Sequence, residues 1–219
     1  SLDFHDKVII KEFYYNFPPV KDIYKTAKFM FDDDYYSYPQ FIQCIQKYYS
    51  DARIIRPHAG EKYYIRNAVI DILFSYEDLF PLSFSDGSMG DLNSSSLIFK
   101  INIGGQSIMI TGDATSNSMY FATSNYGSYL KSDILQLAHH GQNGTVSFYS
   151  TVDPTYVLVP ISHVDEKRVT FNAANKWLVD SAKVRQFIAF WGSNVTFPLP
   201  YNPSDSQIND RIPNKNTVY

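Results

Sequence analysis

A chain of 219 residues, 44% apolar and 19% charged, with 18 Tyr and 16 Phe, is too hydrophobic for disorder and long enough for one full domain. Its 19 basic and 22 acidic residues leave a net charge of −3, without the basic excess that phosphate-driven nucleic-acid binding usually shows. One cysteine, Cys44, excludes an internal disulfide and a multi-cysteine zinc site, and no apolar run approaches the roughly 20 residues that span a bilayer.

In chain order, Val8 to Ile10 and Phe13 to Tyr15 predict one short strand, closed by Asn16 and the Pro18-Pro19 pair. A helix is expected over Lys21 to Met30, then a loop through the acidic and aromatic stretch Asp32 to Tyr36. Pro39 suits the first position of a second helix, in which Phe41, Ile42, Ile45, Tyr48 and Tyr49 recur at helical spacing. Cys44 falls on the apolar side of that helix and reads as core packing. The period then switches to two. Lys62 to Ile65 and Val69 to Phe74 predict a hairpin around Arg66-Asn67, and a polar loop follows over Ser83 to Ser96. Leu97, Phe99, Ile101 and Ile103 alternate with Ile98, Lys100 and Asn102, as in a strand with one wetter face. Gly104-Gly105 turns the chain into an apolar return strand over Ser107 to Ile110.

The remainder alternates between the two element types. A short helix is expected between Asn117 and Thr123, a strand over Asp133 to Ala138 and another over Tyr156 to Ile161. A helix with Phe171, Ala174, Trp177, Leu178 and Ala182 on one face comes next. Strands at Phe187 to Phe190 and Val195 to Phe197 precede a polar tail, 198–219. No linker or repeat divides residues 1–219, so the chain reads as a single α/β domain with a mixed sheet flanked by helices.

Two strand ends carry chemistry. Asp113 closes Thr111-Gly112-Asp113 where an apolar strand stops, a place where a carboxylate faces the crevice in which α/β sheets bind ligands. The same Asp also suits the cap of the following helix. His139-His140-Gly141 follows the strand Ile134 to Ala138. Neutral imidazole is a common metal ligand, and the pair reads either as ligands or as loop histidines. Taken together, a carboxylate and an imidazole at two strand ends of one sheet could converge on zinc or manganese, but they do not fill a closed site. His5, His58 and His163 are isolated, and H-x-H-x-D-H and H-E-x-x-H are absent from the chain. Neither a G-x-S-x-G elbow nor a phosphate-binding Gly loop is present.

With these residues in place, the chain resembles the C-terminal portion of a metallo-β-lactamase-fold hydrolase. It is most similar to the branch that holds the hydrolase domain of bacterial DNA-uptake channel proteins and the phosphorylcholine esterases. The resemblance is carried by Asn93-Ser94-Ser95-Ser96-Leu97-Ile98, by Ser107 to Asp113 ending in T-G-D, and by Leu130-Lys131-Ser132-Asp133-Ile134-Leu135-Gln136-Leu137-Ala138-His139-His140-Gly141. It runs over Ala52 to Val164 and implies an αββα sandwich. It further implies that Asp113 bridges two metal ions, that His140 binds one with His139 beside it, and that Asn93 lies at the active-site rim, where it would meet substrate.

The resemblance also sets expectations about what is missing. The family's H-x-H-x-D-H motif would precede Val8, and its H-P pair would fall where Val169-Thr170-Phe171-Asn172 stands. The expected function is metal-dependent hydrolysis of phosphoester or phosphodiester bonds. The chain alone would be weak or inactive, since its zinc or manganese site could stand empty. A degenerate, non-catalytic binding module is the alternative. The chain begins at Ser1 and reads as a processed or excised piece, so targeting information could have been cut away; no signal peptide is present, and the compartment is left open with a lean to the cytoplasm. Half of a two-sheet sandwich exposes the inner face of one sheet, so a homo-oligomer through that face, or shielding by Tyr and Phe, is expected.

Overall fold

The computed structural model describes residues 8–18, 34–79, 92–161, 172–190 and 194–204. Among them, β1 (Glu12–Tyr14) and β2 (Arg53–Ile55) pair in parallel as a small separate sheet, with α1 (Asp34–Tyr48) between them in sequence. The main sheet has seven strands in sequential order. β3 (Lys62–Ile65), β4 (Ala68–Phe74), β5 (Ile98–Ile103) and β6 (Gln106–Ile110) form an antiparallel meander. β7 (Ile134–Gln136), β8 (Tyr156–Val159) and β9 (Gln186–Ala189) then add in parallel. The helices α2 (Ser116–Tyr126), α3 (Val146–Val152) and α4 (Ala173–Asp180) fall in the connections that precede β7, β8 and β9. The result is the expected α/β architecture with a mixed sheet.

The change from antiparallel to parallel follows from the connections. Gly104 and Gly105 both have positive φ, at 59° and 79°, which suits a tight hairpin between β5 and β6. No such turn follows β6. A parallel return needs a crossover, and α2 supplies it. Strands β7 and β8 are buried almost throughout, as strands covered on both faces must be.

Register sorts the side chains into two layers. One cross-strand row runs Asp71, Lys100, Met109, Leu135, Val157 and Phe187. Its apolar members pack with Met119 and Ala122 of α2, Phe148 and Val152 of α3, and Leu178 of α4 to form the main core. On the opposite face Ile134, Tyr156, Leu158 and Ile188 form a second cluster with Phe197, Leu199 and Tyr201. On that face Phe99, Ile101, Ile103 and Ile110 are only half-buried. Aromatic shielding is therefore present over β7 to β9 and incomplete over β5 and β6.

The small sheet is fastened to the large one by a polar cluster. Asn16, 3% exposed, donates to the Pro57 carbonyl and to Glu77, each at 2.7 Å. Arg56 donates to Asn16 and to the Tyr76 hydroxyl, each at 2.9 Å. The edge-on ring contact Tyr14–Tyr63 adds to the joint, while Phe13–Tyr49 and Tyr15–Phe41 hold β1 against α1 and its end.

Several expectations need correction. Helix α1 starts at Asp34, so Asp34 to Tyr36 are helical and Pro39 is internal. An acidic start suits a helix N-terminus as well as a loop, and the internal proline forgoes one backbone hydrogen bond. The face of β5 that carries Lys100 is the buried one, because its polar groups find partners beneath the helices. Val195 to Phe197 is in no sheet, and the segment from Pro198, expected as a polar tail, packs down as far as Tyr201. Phe197, Leu199 and Tyr201 supply the apolar contacts, across a bend at Leu199-Pro200. Ala182 lies beyond the end of α4 and is exposed. Strand β2 and helix α3 were not expected. The α3 sequence is rich in β-branched residues, and it is set instead by the Thr145 cap on the Phe148 N–H and by packing. His5, the helix over Lys21 to Met30, Ser83 to Asp91, His163 and Thr170-Phe171 lie outside the described residues.

Where the helix-face row reaches β4 and β5 it becomes polar. Asp71, 3% exposed, pairs with Lys62 at 2.6 Å and accepts from Asn102 at 3.0 Å and the Tyr129 hydroxyl at 3.1 Å. The Lys100 ammonium donates to the Tyr129 carbonyl at 2.5 Å and sits 3.7 Å from the centre of its ring. Burial holds Lys100 below the ordinary lysine value. Asp71→Ala removes the carboxylate that Lys62, Asn102 and Tyr129 share. It should lower the unfolding free energy by about 2–3 kcal/mol in urea titration, somewhat less than the loss of a fully buried ion-pair partner. A change below about 0.5 kcal/mol, the size of an ordinary surface substitution, would show that the cluster holds without it.

Candidate functional site

Parallel neighbours end side by side. With Ile108 opposite Ile134 and Met109 opposite Leu135, the turns that follow β6 and β7 leave the sheet at the same edge. The His139 N–H donates to the Gly112 carbonyl at 2.9 Å and ties the turns together directly. Thr111, fully buried, donates its hydroxyl to the Gln136 carbonyl at 2.9 Å. Gly112 has φ +52°, and a Cβ there would meet the Ser96 Cβ at 3.3 Å, so glycine is required both by conformation and by close approach.

That approach brings in the serine-rich segment. Ser96 Oγ accepts from the Asp113 N–H at 3.2 Å, and Ser94 Oγ lies 3.0 Å from Thr115 Oγ1. The Ser118 hydroxyl donates to the Ser94 carbonyl at 3.2 Å. Asn93, half-buried, lies in the same short 3-10 turn and accepts from the Ser96 N–H at 3.1 Å. Asp113 does not cap α2; the extended residue at that position is Thr115. The carboxylate of Asp113 is 39% exposed and faces outwards from the turn.

His139 and His140 are not on an extended chain. Both are left-handed, at φ 49° and 55°, and their ring centres are 6.0 Å apart. Residues other than glycine held there cost on the order of 1–3 kcal/mol each, so the surroundings must impose the turn. Four side chains do so. Asn143 lies 3.0 Å from His139 Nδ1, Asn175 donates to the Gly141 carbonyl at 2.6 Å, and Asn172 donates to the Gln142 carbonyl at 3.2 Å. The fourth is Tyr149. Its hydroxyl accepts from the Ala138 N–H at 3.2 Å and donates to the Asn143 carbonyl at 3.1 Å. Complete burial pushes that phenol well above the ordinary tyrosine value.

His140 Nδ1 lies 2.6 Å from the Pro160 carbonyl. A carbonyl only accepts, so Nδ1 carries the hydrogen and Nε2 of the neutral ring carries the lone pair. Nε2 faces Asp113 Oδ1 at 3.7 Å. Two donors about 2.0–2.1 Å from one ion stand roughly 3.3 Å apart at the tetrahedral angle, so a small closure would let both reach a divalent cation. Among the described residues no group of three or more His, Cys, Asp or Glu converges. His58 is away from this edge, 3.7 Å from Glu77.

The supporting residues Gln136, Asn143, Tyr149, Asn172 and Asn175 were not singled out from sequence. The one available signal was Gln136 standing inside the apolar run Ile134 to Ala138; Asn172 and Asn175 stand about thirty residues beyond the turn they hold. Tyr149→Phe should leave the Ala138 N–H and the Asn143 carbonyl without their partner and lower stability by about 1–3 kcal/mol. Faster amide exchange at Ala138 than elsewhere in the core would locate the effect, and wild-type exchange there would refute it.

No protein-family model matches the chain. Over 70 residues it is 33% identical to the competence protein ComA of Neisseria gonorrhoeae, a stretch that covers 31% of this chain and 10% of that protein. The likeness is distant and partial. The described residues contain no helix long and apolar enough to cross a membrane.

Proposed function

We propose that this chain is a portion of a metal-dependent hydrolase of phosphoester or phosphodiester bonds, and that Asp113 and His140 are two of its metal ligands. The observation that carries the reading is the pair of facing donor atoms, Asp113 Oδ1 and His140 Nε2, 3.7 Å apart with the histidine tautomer set by Pro160. The T-G-D and H-H-G spacing and the partial likeness to a competence protein support it. Zinc and manganese suit a nitrogen and a carboxylate oxygen.

When bound, a divalent ion supplies a water that is acidic near neutral pH and positive charge for the oxygens of a phosphoester. The chain's own residues hold and orient. Asp113 presents its carboxylate from a turn braced by Ser96, and His140 presents Nε2 because its other nitrogen is committed to Pro160. His139 flanks the pair, engaged with Asn143, and Asn93, in the short turn before Ser96, takes the rim role that the resemblance implies. Two donors are fewer than the three or four that zinc sites take from protein, so the others come from outside the described residues. The chain by itself is expected to turn over weakly.

Metal content of the chain purified without chelator, measured beside Asp113→Ala and His140→Ala, tests the assignment. Zinc or manganese should be retained by the parent chain and its affinity weakened more than about 100-fold in each variant, beyond the loss typical of an outer-shell partner. Equal metal content in all three proteins would remove Asp113 and His140 from the site. In the same reading the half-buried face of β5 and β6 packs against a second copy of the chain. Light scattering should then show a dimer or larger species, and a monodisperse monomer would overturn that part.

A further inference from the structure

Gln136 is out of place by the rules that shape β7. It ends the strand half-buried, within the run Ile134-Leu135-Gln136-Leu137-Ala138 whose other members are fully buried and aliphatic. The amide is instead fully used. Its Oε1 accepts the Thr111 and Gly112 N–H groups, each at 2.9 Å, and lies 3.3 Å from the Thr111 hydroxyl. Its Nε2 donates to the Leu137 carbonyl at 2.5 Å and reaches towards the Gly112 carbonyl at 3.4 Å. The paired register of β6 and β7 ends at Met109 and Leu135. Beyond that point the Gln136 side chain continues the connection between the segments that follow the two strands.

We propose that Gln136 is the positioning residue that sets the separation between Asp113 and His140. It holds the Thr111-Gly112-Asp113 turn against the end of the strand that launches the histidines, without touching either side chain's donor atom. An aliphatic residue there would fill the space and leave two N–H groups without their acceptor, one of them on fully buried Thr111. The turn would then be free to move relative to β7, and Asp113 with it. The metal arm of this inference rests on the reading of Asp113 and His140 as ligands; the positional arm does not.

The test compares Gln136→Met and Gln136→Glu with the parent chain by amide exchange, zinc chloride titration and urea unfolding. In Gln136→Met, exchange at Thr111 and Gly112 should rise about tenfold while distant core amides are unchanged. Zinc affinity should fall by about 10–100-fold, as it does when outer partners are lost. Gln136→Glu keeps an acceptor and should retain the protection of both amides; it also decides the matter if the Met variant does not fold. Wild-type protection at Thr111 and Gly112 in Gln136→Met overturns the proposal. Lost protection with unchanged zinc affinity overturns the positioning role and leaves a purely local contact. If the parent chain takes up no zinc, the metal reading fails, and the exchange comparison alone decides whether Gln136 holds the turn.

Discussion

The parallel pairing of β6 with β7 is the constraint on which the candidate site depends. Only two register pairs join these strands, yet they bring two turns far apart in sequence to one edge of the sheet. Antiparallel pairing would have put the end of one strand beside the start of the other. Asp113 and His140 would then lie at opposite edges. The crossover through α2 is what makes them neighbours, and the His139 to Gly112 hydrogen bond keeps them so.

Unfavourable backbone geometry is concentrated at the same place. Gly112 turns at positive φ against Ser96, and two consecutive histidines occupy the left-handed region. The restoring forces come from neutral amides and one phenol. Asn143, Asn172 and Asn175 reach the second turn from the loop itself and from α4, and Tyr149 anchors it from below. Neutral partners fix the backbone without adding charge beside Asp113. The ring of His140 is then oriented by a backbone carbonyl, which leaves one nitrogen and one carboxylate oxygen facing each other at the surface.

The two faces of the sheet are finished to different degrees. The helix face is closed by α2, α3 and α4, and even its polar end is internally paired around Asp71. The other face is covered over β7 to β9 by the segment through Phe197, Leu199 and Tyr201, with Gln106 and Tyr201 exchanging hydrogen bonds between side chain and backbone. Over β5 and β6 the same face stays half-buried, and the β1–β2 pair remains a two-stranded sheet tied on by Asn16 and Arg56. A pair of facing donor atoms and a partly covered sheet occur together among the described residues.

Much of the fold was legible in the chain because local chemistry sets it. Alternation wrote β4 to β6, Arg66-Asn67 and Gly104-Gly105 wrote the hairpins, and the apolar runs before Asp113 and His139 marked the strand ends. Those signals act within a few residues, where periodicity and turn preference decide. They do not reach across the sheet. That Lys100 is buried, that Pro198 begins a packed segment and that Gln136 bridges two turns were settled by partners distant in sequence. The sequence by itself determined that Thr111-Gly112-Asp113 and His139-His140-Gly141 each follow an apolar strand. Only the tertiary structure decided that Asp113 and His140 face each other and which nitrogen points inwards, because a parallel register and the Pro160 carbonyl, neither encoded locally, control both.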